Sequence, residues 1–535
     1  MTPAVARSAT DDRSASGWLL IGGIVLASLT EAIASTVLSL GRGDILGDTY
    51  ATPDEFAWLD VSYAALKLIG FALTPWLLTR VPPRNVLLAT TLAMGVACAA
   101  AAATASLDTL ILLRAVQGLS GATLLVSGQA ILFWNYPTSR QPLLQAIFAM
   151  GSVVAPATLA PALQGWLLDS QSWSWIFFAV VPISLAATGL LVMDDRASPL
   201  ASERRPLDWP GLMLLGAALS STAYVLSQGS RWDWFEASRI AWLSVVAGAC
   251  LVLFLIRQRV TGPRALFDAT VFESDDFTFA FAVSFVAGIA LFGSAFLIPA
   301  FAVSVLGFTP TDAGQLLLPS GALFVGALLF AAFLMQAKHV PPIATVPFGI
   351  LLIMAAMWML SGSSGESGSD DMMPALLLRG LGLGFLFLSI TLIAFSRLTS
   401  ANLAFGIAIF NIGRQLGGLM GVAGLQTVID HQAALNQTVL GTALVAGSPA
   451  LAERLAATTS LLAARGMEAA TAAKVATNML GRSVAGQATV IAFDTAFNIV
   501  ALLFVVAAPI LVAFKVVLTR KAKRRGSANA GETAL

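Results

Sequence analysis

Apolar stretches of about twenty residues recur along this chain, beginning near residues 18, 56, 86, 107, 142, 172, 208, 238, 277, 311, 341, 372, 400 and 488. A helix of that length crosses the roughly 30 Å hydrocarbon core of a bilayer. The pattern therefore predicts an all-α polytopic membrane protein with 14 spans. The first run, Trp18 to Leu40, exceeds the apolar core of a signal peptide, about 7 to 15 residues, and reads as a retained span. Composition agrees: 57% of the 535 residues are hydrophobic and 11% charged, against about 25% charged in soluble proteins. A net charge of +1 argues against a nucleic-acid partner, and Cys98 and Cys250 lie in apolar runs where they pack rather than bridge.

Basic residues sort by alternate connections, as the positive-inside rule requires. One side carries Arg7, Arg13, Arg80, Arg84, Arg140, Arg196, Arg204, Arg205, Arg257, Arg259, Arg264, Lys338, Arg397 and the tail Arg520, Lys521, Lys523, Arg524 and Arg525. The other carries Arg42, Arg231 and Arg239, with Arg454, Arg465, Lys474 and Arg482 in one long loop. Both termini are then expected in the cytoplasm.

Two landmarks repeat. Arg80-Val-Pro-Pro83 after the second span returns as His339-Val-Pro-Pro342 after the tenth, and Leu-Leu-Arg114 in the fourth returns as Leu-Leu-Arg379 in the twelfth. Each pair falls at the same span of a six-span half. The organisation expected is a cytoplasmic tail (1–16), an N-terminal six-helix bundle (17–194), two inserted helices with their linkers (195–265), a C-terminal six-helix bundle (266–518) and a basic tail (519–535). Such paired bundles hold their site between them and rock about it. The C-terminal half includes an alanine-rich excursion, 431–487, with Leu451, Leu461, Leu462, Met467, Val475 and Met479 spaced as on amphipathic helices.

Charge inside the membrane is costly and marks function by default. Arg114 needs a partner, and Glu31 is the one the depths suggest. At about 1.5 Å per helical residue, Glu31 lies roughly 13 Å and Arg114 roughly 10 Å below the outer end, with Asp60 at roughly 8 Å. The alternative is that Arg114 only joins two helices or bonds to carbonyls. Burial favours the neutral form of a carboxyl and a nearby guanidinium the charged form, so Glu31 is the candidate for proton exchange; the alternative is a fixed ion pair. Lys67, two turns from Asp60, is too far to pair with it. Asp60 and Asp494 are nearer their helix ends, where solvation is the simpler reading. In the thirteenth span Asn411, Arg414, Gln415 and Gly418 share one helix face, and Arg379 is the second half's buried arginine. Enzyme signatures such as GxxxxGK[ST] and HExxH are absent, and the Gly380, Gly382, Gly384 run sits inside an apolar helix, where it serves packing.

These residues resemble the 14-span drug:proton antiporter branch of the major facilitator superfamily, the EmrB/QacA type, across nearly the whole chain. The matches are Arg114, Gln117 and Gly118 in the fourth span; Trp173 and Trp175 before Pro182; Asn411, Arg414, Gln415, Gly417 and Gly418; Trp232-Asp-Trp234; and Phe308 to Gly314 before Pro319. The resemblance implies that Glu31, where the family usually has aspartate, couples protons or recognises cations, and that Arg114 links protonation to conformational change. Pro161, Gln164 and Gly165 stand in the family's span 5 motif, Gly-Pro-x-x-Gly-Gly. In the loop after span 2 Pro75, Thr79 and Pro82 replace the family's first glycine, aspartate and second glycine, leaving Arg80.

The reading is a proton-driven exporter of amphipathic drugs or toxic compounds, not an enzyme, with no cofactor beyond the proton gradient. Proton coupling is assigned to Glu31, Arg114 and Asp60. The substrate cavity and its gates are assigned to Gln117, Gly118, Pro161, Gln164, Arg379, Asn411, Arg414, Gln415 and Asp494. The long loop resembles that of relatives working with a periplasmic adaptor and an outer-membrane channel, which implies a bacterial inner membrane. The alternatives are an exporter or flippase of one lipid-like or siderophore-like metabolite, and a non-transporting sensor or scaffold.

Overall fold

The computed structural model describes residues 3–194, 206–262, 265–444 and 448–532. Most of the linker between Asp194 and Asp208, with Arg196, Arg204, Arg205 and Arg264, lies outside the described residues, as do the side chains of 1–16 and 518–535. Among the described residues, fourteen helices are long and apolar enough to cross a bilayer. They are α1 (Gly17–Leu40), α2 (Pro53–Leu78), α3 (Pro83–Ala102), α4 (Leu107–Asn135), α5 (Thr138–Ser170), α6 (Ser174–Met193), α7 (Trp209–Gln228), α8 (Ser238–Thr261), α9 (Asp275–Ser304), α10 (Pro310–Ala337), α11 (Pro342–Leu360), α12 (Ser369–Phe395), α13 (Leu403–Thr442) and α14 (Ala469–Lys515). No strand occurs among the described residues, as expected where only helices satisfy every backbone group within lipid.

Helices α1–α6 and α9–α14 repeat one packing scheme. Contacts between α2 and α4, α3 and α4, α1 and α6, α3 and α6, and α1 and α5 recur as α10 with α12, α11 with α12, α9 with α14, α11 with α14, and α9 with α13. The equivalent helices α2 and α10 also start alike. Thr52 and Thr309 cap them through their hydroxyls, and Pro53 and Pro310 follow at the first helical position, where a missing N–H costs nothing. The two groups meet along α2 with α13 and along α5 with α10, pairs related by the same repeat.

Helices α7 and α8 form a hairpin outside this scheme. α7 packs on both α2 and α13, so it covers a seam between the groups. α8 is mostly exposed despite its high mean hydropathy, as befits a helix surrounded by lipid. The turn joining them is tied to both groups. Arg231 pairs with Asp54 at 2.9 Å, Ser230 donates to Asp430 at 2.8 Å, and Trp234 Nε1 donates to Thr427 at 3.0 Å.

The excursion 431–487 is helical where it is described. The α13 helix continues to Ala443 and the helix Pro449–Ala464 follows. This second helix packs on the beginning of the α14 helix, where Ala472 and Ala476 are buried. Alanine, with the highest helix propensity, permits both the extension and the close packing.

Candidate functional site

A narrow cavity lies between the groups, lined by Glu31 and Ser35 of α1, Lys67 and Phe71 of α2, Leu125 of α4, Ser152, Val153 and Pro156 of α5, Leu291 and Phe292 of α9, and Asn411, Arg414 and Gln415 of α13. Two of the lining helices are shaped locally for the site. α5 loosens into a π-helix over Met150–Leu159, around Pro156, a distortion common at functional sites. On α4 a Cβ at Gly121 would stand 2.8 Å from the Glu31 Cγ, so glycine leaves the room that the glutamate occupies.

Glu31 is 2% exposed. Its Oε1 accepts from Lys67 Nζ at 2.5 Å and from the Tyr63 hydroxyl at 3.0 Å. Tyr63 and Lys67 stand one helical turn apart on α2, a spacing that sets both on one face. A buried ion pair with an added hydrogen bond is the arrangement that offsets the desolvation of both charges.

The expected Glu31–Arg114 pair does not form. Arg114 instead donates through Nη1 to the Ala34 carbonyl at 2.6 Å and to Gln117 Oε1 at 3.0 Å. Its guanidinium lies 4.1 Å from the centre of the Tyr63 ring. Depth along a helix says nothing about direction around it, and the Arg114 fork is turned to the α1 backbone and to an aromatic face. Tyr63 thus joins the two charged side chains, with its ring under Arg114 and its hydroxyl on Glu31. Gly118 permits this, since a Cβ there would collide with the Tyr63 carbonyl. Lys67 and Tyr63 were missed because Lys67 was weighed only against Asp60 on its own helix. An intramembrane lysine with an aromatic hydroxyl four residues earlier was the available signal.

Of the remaining candidates, Asn411, Arg414 and Gln415 line the cavity with Glu31. Arg414 Nη2 donates to Asn411 Oδ1 at 2.5 Å, and Asn411 Nδ2 donates to the Ile407 carbonyl at 2.8 Å. Gln164 anchors α5 to α1, donating to the Ile33 carbonyl at 3.0 Å and to Thr36 Oγ1 at 2.8 Å. Arg379 is fully buried outside the lining. Its Nε donates to Ser294 at 2.9 Å, while Nη1 and Nη2 have no hydrogen-bond partner among the described residues. Asp60 is exposed, with no hydrogen bond or ion pair among the described residues, and Asp494 is half-buried on α14; neither lines the cavity.

Contacts join the groups toward both ends of the cavity. Toward the Leu40 end of α1, Gly165 packs on the backbone of Pro310 and Thr311, Gly314 packs on Pro161, and the Thr311 amide donates to Asp169 at 2.9 Å. Toward the Gly17 end, Phe133 meets Phe395 edge-on at 5.4 Å and Trp134 Nε1 donates to the Ser400 carbonyl at 3.3 Å. The two groups therefore touch on both sides of the cavity.

Comparison with known proteins agrees with this architecture. The family model of the Major Facilitator Superfamily matches residues 20–422. The chain is 28% identical over 417 residues to the multidrug export protein EmrB of Escherichia coli strain K12, covering 78% of this chain and 80% of that protein. It is 25% identical over 497 residues to the colistin resistance protein EmrB of Acinetobacter baumannii, covering 92% and 95%. It is 28% identical over 407 residues to the multidrug export protein EmrB of Haemophilus influenzae, covering 76% and 79%. With a family match across most of its length and the repeated helix packing around a central cavity, this chain belongs to the Major Facilitator Superfamily.

Proposed function

We propose that this multi-pass membrane transporter exports amphipathic drugs or toxic compounds in exchange for protons. The observation that carries the proton half is the buried Glu31–Lys67 pair, set in a cavity lined from both helical groups. The names of the similar proteins, multidrug export and colistin resistance, support the drug half. The two groups, 17–194 and 266–518, rock about the cavity, opening it to one side at a time. Protonation of Glu31 removes the charge that holds Lys67 and leaves the Tyr63 hydrogen bond. Because the Tyr63 ring also carries Arg114, that change reaches α1, α2 and α4 together. Gln117 and Gly118 hold this arrangement, and Pro161 and Gln164 serve the contact at one end. Arg379 and Asp494 support the second group.

The test is proton movement in inside-out vesicles with an acidified lumen, with lipophilic cations, weak acids and neutral drugs added in turn. Substrate-dependent proton release is expected from the wild type and none from Glu31→Gln. Release that persists in the variant would move coupling to Asp60 or Asp494, and no release with any compound would leave a narrow-substrate exporter as the better reading.

The membrane is the inner membrane of a bacterium, with both termini cytoplasmic, as the distribution of basic residues supports. The excursion 431–487 then projects into the periplasm and docks an adaptor leading to an outer-membrane channel. Its exposed Leu435, Val439, Leu461 and Met479 offer the apolar contacts. Removing residues 444–468 is expected to abolish adaptor co-purification while vesicle proton release continues. Loss of both would mean the hairpin serves the fold instead.

A further inference from the structure

The charge of the cavity points to the charge of its substrate. Its lining holds one acid, Glu31, and two bases, Lys67 and Arg414. Glu31 is already occupied by Lys67 and Tyr63. Arg414 comes from the opposite group of helices, and it donates to the neutral Asn411; among the described residues no carboxylate pairs with it. The surrounding layer adds to the same sign. Arg114 and Arg379 are both fully buried without a carboxylate ion pair among the described residues, and two nitrogens of Arg379 are unsatisfied.

We infer that this cavity selects amphiphiles with an anionic head group, a carboxylate above all, seated between Lys67 and Arg414 with the apolar body against Phe71 and Phe292. The inference rests on the transport reading of the same cavity and narrows it to one chemical class. Low-dielectric walls strengthen the field of an uncompensated charge. A carboxylate entering supplies Arg414 with the partner it lacks, in the forked geometry a guanidinium favours. It also shares Lys67 with Glu31. A cation entering meets two positive groups and finds the one lining carboxylate already paired, so the recognition of cations that the resemblance assigned to Glu31 is blocked by Lys67. A neutral compound gains the aromatic contacts alone. The site also joins the two groups of helices through the anion, since Lys67 and Arg414 belong to different ones. Substrate binding is thereby coupled to their closure.

The experiment uses the full chain in nanodiscs and three fluorescent compounds sharing one tail: pyrenebutyrate, its trimethylammonium counterpart and its primary amide. Binding is measured above that of nanodiscs without protein. The carboxylate is expected to bind at least about tenfold more tightly than the cation. Arg414→Gln should weaken the carboxylate by about tenfold and leave the amide unchanged, whereas Arg414→Lys keeps the order of the three. The Lys variant also guards against loss of fold in the Gln variant. Equal affinities, a preference for the cation, no binding of the carboxylate, or a carboxylate affinity indifferent to Arg414→Gln in a monodisperse protein would each overturn the inference. The same compounds in proteoliposomes separate the two readings. Charge-ordered binding without transport would remove the exporter and keep the anion site. Transport without charge order would do the reverse.

Discussion

Replacing Lys67 with methionine is expected to destabilise the protein by about 3 to 5 kcal/mol, the usual cost of stranding one member of a buried ion pair. Adding Glu31→Gln to that variant should return most of the loss. Both side chains are nearly inaccessible, at 7% and 2% exposure. Methionine fills much of the lysine's volume but leaves the Glu31 carboxylate with only the Tyr63 hydroxyl. Glutamine removes the stranded charge and can keep that hydrogen bond. Replacing both members of such a pair with neutral groups of similar shape is often close to neutral in stability. Thermal unfolding of the two variants and of Glu31→Gln alone in detergent closes the cycle. Additive losses would mean that the pair contributes nothing as a pair. The double variant should also fail to release protons, because stability and coupling part company there.

Gly165→Leu is expected to stop transport while the protein still folds. At this position α5 and α10 approach so closely that even a Cβ would collide with the Pro310 carbonyl, and the reciprocal contact brings Gly314 onto Pro161. A leucine holds the two groups apart at the Leu40 end, so the state described here, with the groups in contact at that end, cannot form. In a transporter that must pass through that state, turnover falls to background. The matched control is Gly189→Leu on α6, where nothing lies within 4 Å of an added Cβ, and transport should be retained. Uptake into proteoliposomes, with size-exclusion profiles to show intact protein, measures both. Normal turnover in Gly165→Leu would show that this contact is not traversed in the cycle.

The membrane class, the number of spans and the residues that bear charge within the apolar layer are all readable from the amino-acid order. These are legible because hydrocarbon leaves the backbone one inexpensive choice, a helix, and because a charge in it stands out in any reading of the chain. The helix face of Asn411, Arg414 and Gln415 was legible for the same local reason, a spacing of three and four residues. Tertiary structure alone decided the partners. Glu31 is paired with Lys67 and not with Arg114, because two helices fix the depth of their residues independently of how each is rotated. Side-chain reach then decides: a lysine stem extends to the carboxylate while a guanidinium finds a carbonyl and an aromatic face nearer. The seam covered by α7, the contact of Gly165 with Pro310 and the meeting of Lys67 with Arg414 around one cavity are likewise products of packing between segments more than a hundred residues apart. Such contacts depend on shapes that only the assembled helices present to one another.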